Sequence, residues 1–184
     1  MSGHSHAKTI RHAKNITDQK RGQIFSKMAR VISVAVKDGG PNPETNSKLK
    51  IAIEQAKTFN MPKENIERAI KRASGGGIEE EKLEEVVFEA YGPAGVAIMI
   101  EGITDNKNRA LGEIKQILNQ NGGKLVGEGG VRWMFERKVK TPGSLEWVAK
   151  QDIEVPKKDK EACQKLFEAL DENDAVQEIY SNLK

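Results

Sequence analysis

Four cations recur through one stretch of the chain: Lys20, Lys27, Arg30 and Lys37, in KRGQIFSKMARVISVAVK. Ammonium and guanidinium groups held in a row neutralise phosphates. They give backbone affinity and position, with little base information of their own. At about 100° per residue, Ile24, Phe25, Met28, Val31, Ile32, Ala35 and Val36 share one arc, and the four cations fall on another. The spacing therefore predicts a helix with a buried face and a cationic face, uninterrupted by any acid. Arg21 stands beside Lys20. Lys63, Arg68, Lys71 and Arg72 form a further basic row, and Lys8, Arg11 and Lys14 a third near the N-terminus. These twelve residues are the candidate nucleic-acid contacts; the plainer alternative is a solvated basic face.

Other residue types that could do chemistry are less convincing. His4 and His6 have H-x-H spacing but no third ligand nearby, so no metal site is expected. Cys163 shares a helical face with Leu166, Phe167 and Leu170 and reads as core rather than as a nucleophile. The run Gly122–Gly130, GGKLVGEGG, matches neither the Walker nor the dinucleotide fingerprint and reads as a helix stop followed by a turn. No nucleophile–base pair is apparent, so the chain is expected to be no enzyme and to need no cofactor. Thr104, Asp105, Asn106, Asn108 and Arg109 open a helix, with Thr104 or Asp105 as its cap. Polar groups there can hold a phosphate or carboxylate, which makes them a second candidate contact.

The chain has 184 residues, 37% hydrophobic and 31% charged, with a single cysteine. It can bury a sizeable core, and no intrachain disulfide framework is possible. The N-terminal MSGHSHAKTIRHAK lacks an apolar signal core, and the apolar runs are too short to span a bilayer. The expectation is a cytoplasmic protein with no membrane partner, and a monomer. The net charge of +3 hides an asymmetry: residues 1–75 carry 15 Lys/Arg against 6 Asp/Glu, and residues 76–184 carry 15 against 21. A basic half joined to an acidic half points to a polyanionic partner for the first.

The elements that must position these groups follow from period and punctuation. Residues 1–16 read as a mobile arm. Thr17 or Asp18 caps the first helix and Gly39–Pro43 ends it. A second helix runs from about Glu44 to Phe59, and a third from Pro62 to Ala73, before Ser74–Gly77 breaks the chain. Residues 1–76 thus form a three-helix basic domain with a flexible arm. From residue 77 the pattern changes. Strands are predicted at Val86–Tyr91, Gly95–Ile103, Val131–Arg137, Ile153–Val155 and Ala175–Tyr180, with helices after Thr104 and over Glu161–Leu170. The order ββαββαβ makes residues 77–184 an α/β sandwich, and the fold class α+β, with helices on one sheet face.

Several stretches taken together resemble the YebC family. Gly3-His4-Ser5 and Asp18-x-Lys20-Arg21-Gly22-x-Ile24-Phe25-x-Lys27 resemble its opening. Asn60 to Arg72, NMPKENIERAIKR, is similar to its most recognisable run. Tyr91 to Ala97, Thr104 to Arg109, Trp133 to Lys138, and Asp171 through Tyr180 resemble its later motifs. Two departures stand out. Ala7 occupies a position where the family usually has an aromatic, and residues 139–151 are a short connector where longer members insert a third domain.

The resemblance implies a non-enzymatic regulator of gene expression whose basic first domain meets nucleic acid. Family members are described both as DNA-binding transcriptional regulators and as factors acting on translation at the ribosome. The charge-and-shape character of the basic face suits structured RNA, and so ribosomal contacts, better than a short DNA operator. A protein-interaction role for the acidic residues Glu79, Glu80, Glu81, Glu84 and Glu85 is the remaining reading, against a simple solvated lead-in.

Overall fold

The computed structural model describes residues 5–13, 15–76, 82–141 and 144–184. It divides into two compact units: a helical unit, Arg11–Glu84, and a sheet unit made of Met1–Ile10 with Glu85–Lys184. Among the described residues no helix is long and apolar enough to cross a membrane.

The short α1 (His6–Arg11) falls almost wholly in the sheet unit, and α2 (Asp18–Gly39) is the first long helix of the helical unit. Thr17 caps α2 by accepting from the Lys20 N–H at 3.3 Å, and Asp18 in the first turn complements the helix dipole. Gly40 closes it at φ 85°, a left-handed conformation natural to glycine, with its N–H on the Val36 carbonyl at 2.7 Å. Helices α3 (Ser47–Thr58) and α4 (Lys63–Lys71) come next, and α4 runs on into a wider turn, Arg72–Gly76.

The core of this unit is the arc read from the sequence. Ile24, Met28, Ile32, Ala35 and Val36 of α2 pack with Leu49, Ala52 and Ala56 of α3 and with Met61, Ile66 and Ala69. Ile32 and Leu49 are fully buried, each contributing roughly 1.5–3 kcal/mol over exposure. Asn46 joins two helix ends. Its side chain caps α3 by accepting from the Leu49 N–H at 3.0 Å, and it donates to the carbonyls of Ala35 (2.7 Å) and Gly40 (2.8 Å).

In the sheet unit, β1 (Glu84–Tyr91), β2 (Ala97–Thr104), β3 (Lys124–Val126) and β6 (Val176–Ser181) form a four-stranded sheet in the order β3-β1-β2-β6. The pairings β1–β3 and β2–β6 are antiparallel. Helices α5 (Lys107–Gln120) and α6 (Lys157–Asp171) cover one face. Ile98 and Ile100 of β2 point toward that side, among Ile114, Leu118, Leu166 and Phe167. The alternate residues Ala97 and Met99 point the other way, toward Phe135 and Tyr180. Both faces of β2 are therefore buried, which explains its nearly continuous apolar sequence. The second face is covered by an antiparallel hairpin, β4 (Phe135–Thr141) and β5 (Ser144–Ala149).

Five expectations change. The start of the described arm is docked on the sheet unit rather than free: the Ser5 hydroxyl accepts the Ile179 N–H at 3.1 Å, and Ala7 is fully buried in the sheet unit's core. His6 stacks on Phe167 at 4.1 Å between ring centres. A small residue at position 7 is what lets this segment lie flat. Residues 139–151 are not a plain connector but contain all of β5 and the end of β4, because Trp147 and Ala149 complete the apolar layer under the sheet.

The strand expected over Val131–Arg137 starts only at Phe135. The preceding Arg132–Met134 is a tight helical turn, since the N–H groups of Val131 and Arg132 are drawn to the Glu89 carboxylate. Ile153–Val155 makes a single parallel bridge, Ile153 with Leu183, before Pro156 opens α6. The short β3 lies in the glycine-rich run that looked like a turn. Fold class is unchanged: mixed helix and antiparallel sheet.

Candidate nucleic-acid interface

Two faces of the helical unit meet in an open groove of about 500 Å³. One wall is α2, whose Ser26, Arg30, Ser33 and Lys37 recur at offsets of 0, 4, 7 and 11 and so form one stripe. The facing wall is α4 and its extension, with Asn65, Arg68 and Arg72 at offsets of 0, 3 and 7. Phe25, Ala29, Met61, Ala69, Ala73 and Leu83 supply apolar surface between them. A Cβ added at Gly22 would meet nothing within 4 Å, so that end of the groove is open.

The groove's electrostatics follow from where the acids go. Among the described residues its lining holds four cations, Arg30, Lys37, Arg68 and Arg72, and no carboxylate. Asp18 pairs with Arg21 (3.1 Å), Asp38 with Lys48 (2.5 Å), Glu54 with Lys57 (2.8 Å) and Glu67 with Lys63 (3.5 Å). None of those eight residues lines the groove. These four ion pairs lie on other faces of the helices, and the described lining of the groove brings cations together without a carboxylate, a surface suited to phosphates.

The sequence candidates thus separate. Arg30, Lys37, Arg68 and Arg72 come together. Lys71 is exposed on α4, and Lys20 is half-buried near the start of α2. Arg21 and Lys63 are exposed but tied to acids. Lys27 is 3% exposed and Arg11 is 2% exposed, so neither presents its charge on the surface. The buried arc of α2 is wider than a two-sided wheel suggests and takes in Lys27 together with Val34, seven residues on. Lys8 lies in the sheet unit, paired with the buried Glu146 at 2.5 Å. Lys14, like His4 and the acidic residues 79–81, lies outside the described residues. The members that charge counting missed are the neutral ones: Ser26, Ser33 and Asn65. Their signal was a helical period shared with Arg30 and Arg68.

The second candidate, at the start of α5, is occupied by its own capping. Asn106, rather than Thr104 or Asp105, accepts the Arg109 N–H at 3.0 Å. The buried Thr104 hydroxyl accepts the Asn106 N–H at 3.0 Å, and Asp105 pairs with Arg109. Asn108 is exposed beside them.

The glycine-rich loop is also filled from within. Glu89, 3% exposed, accepts N–H bonds from Gly129 (2.8 Å), Val131 (2.9 Å) and Arg132 (2.8 Å), an arrangement that elsewhere cradles phosphate. Burial pushes its pKa up, but those three N–H groups and the Arg132 guanidinium outweigh it and hold the carboxyl below its ordinary value. Cys163 is fully buried, its thiol directed to the Pro93 carbonyl, and burial together with Asp159 raises its pKa. A thiol so placed is a poor nucleophile.

Fold and groove together define a two-unit α+β protein with a basic helical unit and a sheet unit layered between helices and a hairpin. Family models agree. One described as the TACO1/YebC protein N-terminal domain matches residues 5–76. One described as the TACO1/YebC second and third domain matches residues 83–141 and 140–183. The chain belongs to the TACO1/YebC family.

Its relatives are named probable transcriptional regulatory proteins. One from Caldanaerobacter subterraneus subsp. tengcongensis is 56% identical over 139 residues, covering 74% of this chain and 56% of that protein. The chain thus spans about half the length of that relative. One from Aquifex aeolicus is 43% identical over 189 positions, covering 100% of this chain and 76% of its own. One from Pseudothermotoga lettingae is 36% identical over 239 positions, covering 100% and 94%. The crystal structure of a conserved hypothetical protein from Aquifex aeolicus is similar at a TM-score of 0.81, with 34% identity and 95% of each chain covered.

Proposed function

We propose that this chain is a non-enzymatic regulator of gene expression that binds nucleic acid through its helical unit, and that it acts on translation through RNA and ribosome contacts. We place it in the cytoplasm as a monomer. The observation that carries the reading is the groove between α2 and α4. Four cations share its described lining, which includes no carboxylate. Such a surface binds phosphate backbone and releases counterions.

The names of the relatives support a regulator, and they favour a second reading in particular: a DNA-binding transcriptional regulator. RNA is preferred here because the cations sit on two walls of a concave groove rather than on one protruding helix that could enter a major groove. Asn65 is the single amide side chain among the described lining residues, too few for reading a duplex sequence.

The test is sucrose-gradient sedimentation of the full chain with ribosomes over a salt series, beside competition by random and selected duplex DNA. The expected result is co-sedimentation at low salt, lost as salt rises and lost in an Arg30→Glu/Arg68→Glu/Arg72→Glu variant that melts like the parent. Strong preference for one duplex, with no ribosomal co-sedimentation, establishes the transcriptional reading instead.

A further inference from the structure

We propose that the α2–α4 groove takes an unpaired nucleotide of a single-stranded nucleic acid, base inward and phosphates at the rim. This rests on the nucleic-acid reading above and says which part of the polymer the groove recognises. A site for backbone alone needs only cations on a surface. This groove has in addition an apolar interior: the Phe25 ring, the Met61 side chain, and the small residues Ala29, Ala69 and Ala73. At about 500 Å³ it lies within the roughly 300–1,000 Å³ range of sites that enclose small molecules. A nucleotide has the same two-part character, a flat, weakly polar base joined to an anionic phosphate.

The pieces are placed to suit each part. Arg30 on one wall and Arg68 and Arg72 on the other bring planar guanidinium forks to the groove, which match phosphate bidentately and also stack on bases. Phe25 lines the groove while remaining partly exposed, as a stacking platform must. Asn65 brings an amide donor and acceptor to the same space, the complement of an unstacked base's hydrogen-bonding edge. Duplex bases are stacked and paired, so a duplex offers this groove only its backbone and leaves the apolar interior unfilled. An acidic peptide would meet the same cations but owes nothing to a nucleobase.

Fluorescence anisotropy with the full chain decides the matter. The probes are a labelled mixed-sequence RNA strand of about ten nucleotides, the same strand with abasic sites, and its perfect duplex. The expected result is binding of the abasic strand and of the duplex weaker by about tenfold, in the range of base–aromatic stacking. Phe25→Leu, which keeps apolar volume while removing the ring, should weaken the ordinary strand by a similar factor and leave the abasic strand unchanged. A variant that merely misfolds would weaken both. If ordinary and abasic strands bind alike while Arg68→Glu weakens both, the groove reads backbone alone: this inference is overturned and the proposed function stands. If no strand binds, or if polyglutamate displaces the strand as well as unlabelled RNA does, both fall.

Discussion

Lys27 and Arg30 stand three residues apart on α2, yet Lys27 is 3% exposed while Arg30 lines the groove. On the helical wheel Lys27 lies with Val34, at the edge of the buried arc; Arg30 lies with Ser26, Ser33 and Lys37. Two cations of the same helix therefore have different expected effects. Arg30→Ala should reduce the slope of log affinity against log salt by about 0.7 on single strands or about 0.9 on duplex, with little change in melting. Lys27→Ala should leave the slope alone and destabilise the helical unit by roughly 1–3 kcal/mol, because partners of a buried charge lose their bonds. Anisotropy titrations at several salt concentrations, with urea unfolding of each variant, measure both. A flattened slope in Lys27→Ala would place its charge on the binding surface.

Asn46 holds the end of α2 against the start of α3 by three hydrogen bonds, and it is 4% exposed. Asn46→Ala removes a cap and leaves two carbonyls without that donor. The expected cost is about 2–4 kcal/mol, combining cap loss with unsatisfied buried groups. Urea unfolding of the full chain, followed by helical circular dichroism, is the measurement; a cost under about 0.5 kcal/mol would show that water replaces the side chain.

Glu89 makes the sheet unit acid-sensitive. Its pKa in the fold lies below the ordinary 4.5, so the unfolded chain takes up the proton first as pH falls. Its stabilisation is fully present above the ordinary value and is lost as pH drops through the depressed one. Glu89→Gln should cost about 1–3 kcal/mol at pH 7, since an amide oxygen replaces a carboxylate facing three N–H groups. The gap between parent and variant should close on acidification. A gap independent of pH would mean that the carboxylate's charge contributes nothing.

His6 has the opposite charge type but the same direction of effect. Burial lowers its pKa from 6.5 to about 4, against the face of Phe167 and with Nε2 2.7 Å from the Ser181 hydroxyl. The detached ring binds its proton more readily than the docked one. Docking of the N-terminal segment should therefore weaken as pH falls from 6.5 towards 4, by up to about 1.4 kcal/mol per pH unit. An NMR titration of the His6 ring should give a midpoint well below 6; a midpoint near 6.5 would show a solvated imidazole.

How far the sequence could be read depended on whether a pattern was local. The helical unit was legible because its stripes are periodic and its ends are marked: Thr17 and Asn46 at starts, Gly40 at a stop. The groove was legible only in part. Charge singled out Arg30, Lys37, Arg68 and Arg72, but sequence alone does not say that α2 turns the Arg30 stripe, and not Lys27, toward α4. The N-terminal segment was missed because its anchoring is non-local and mostly polar: Ser5 to Ile179, His6 to Ser181, Lys8 to Glu146. The start of β4 was misplaced for a related reason, since Glu89 acts across about 40 residues to fold Gly129–Arg132 back on itself.

Thr141 and Ser144 face each other as register partners at the tip of the β4–β5 hairpin, beyond the last apolar layer. The two segments matched by the second family model overlap at the same point, at residues 140 and 141. Two strand ends held side by side act as a socket. A guest segment spliced in there leaves and re-enters at neighbouring positions, so its length and shape need not strain the host sheet. The hairpin end is accordingly a position at which a reporter or a second binding module could be grafted with little disturbance to the sheet unit.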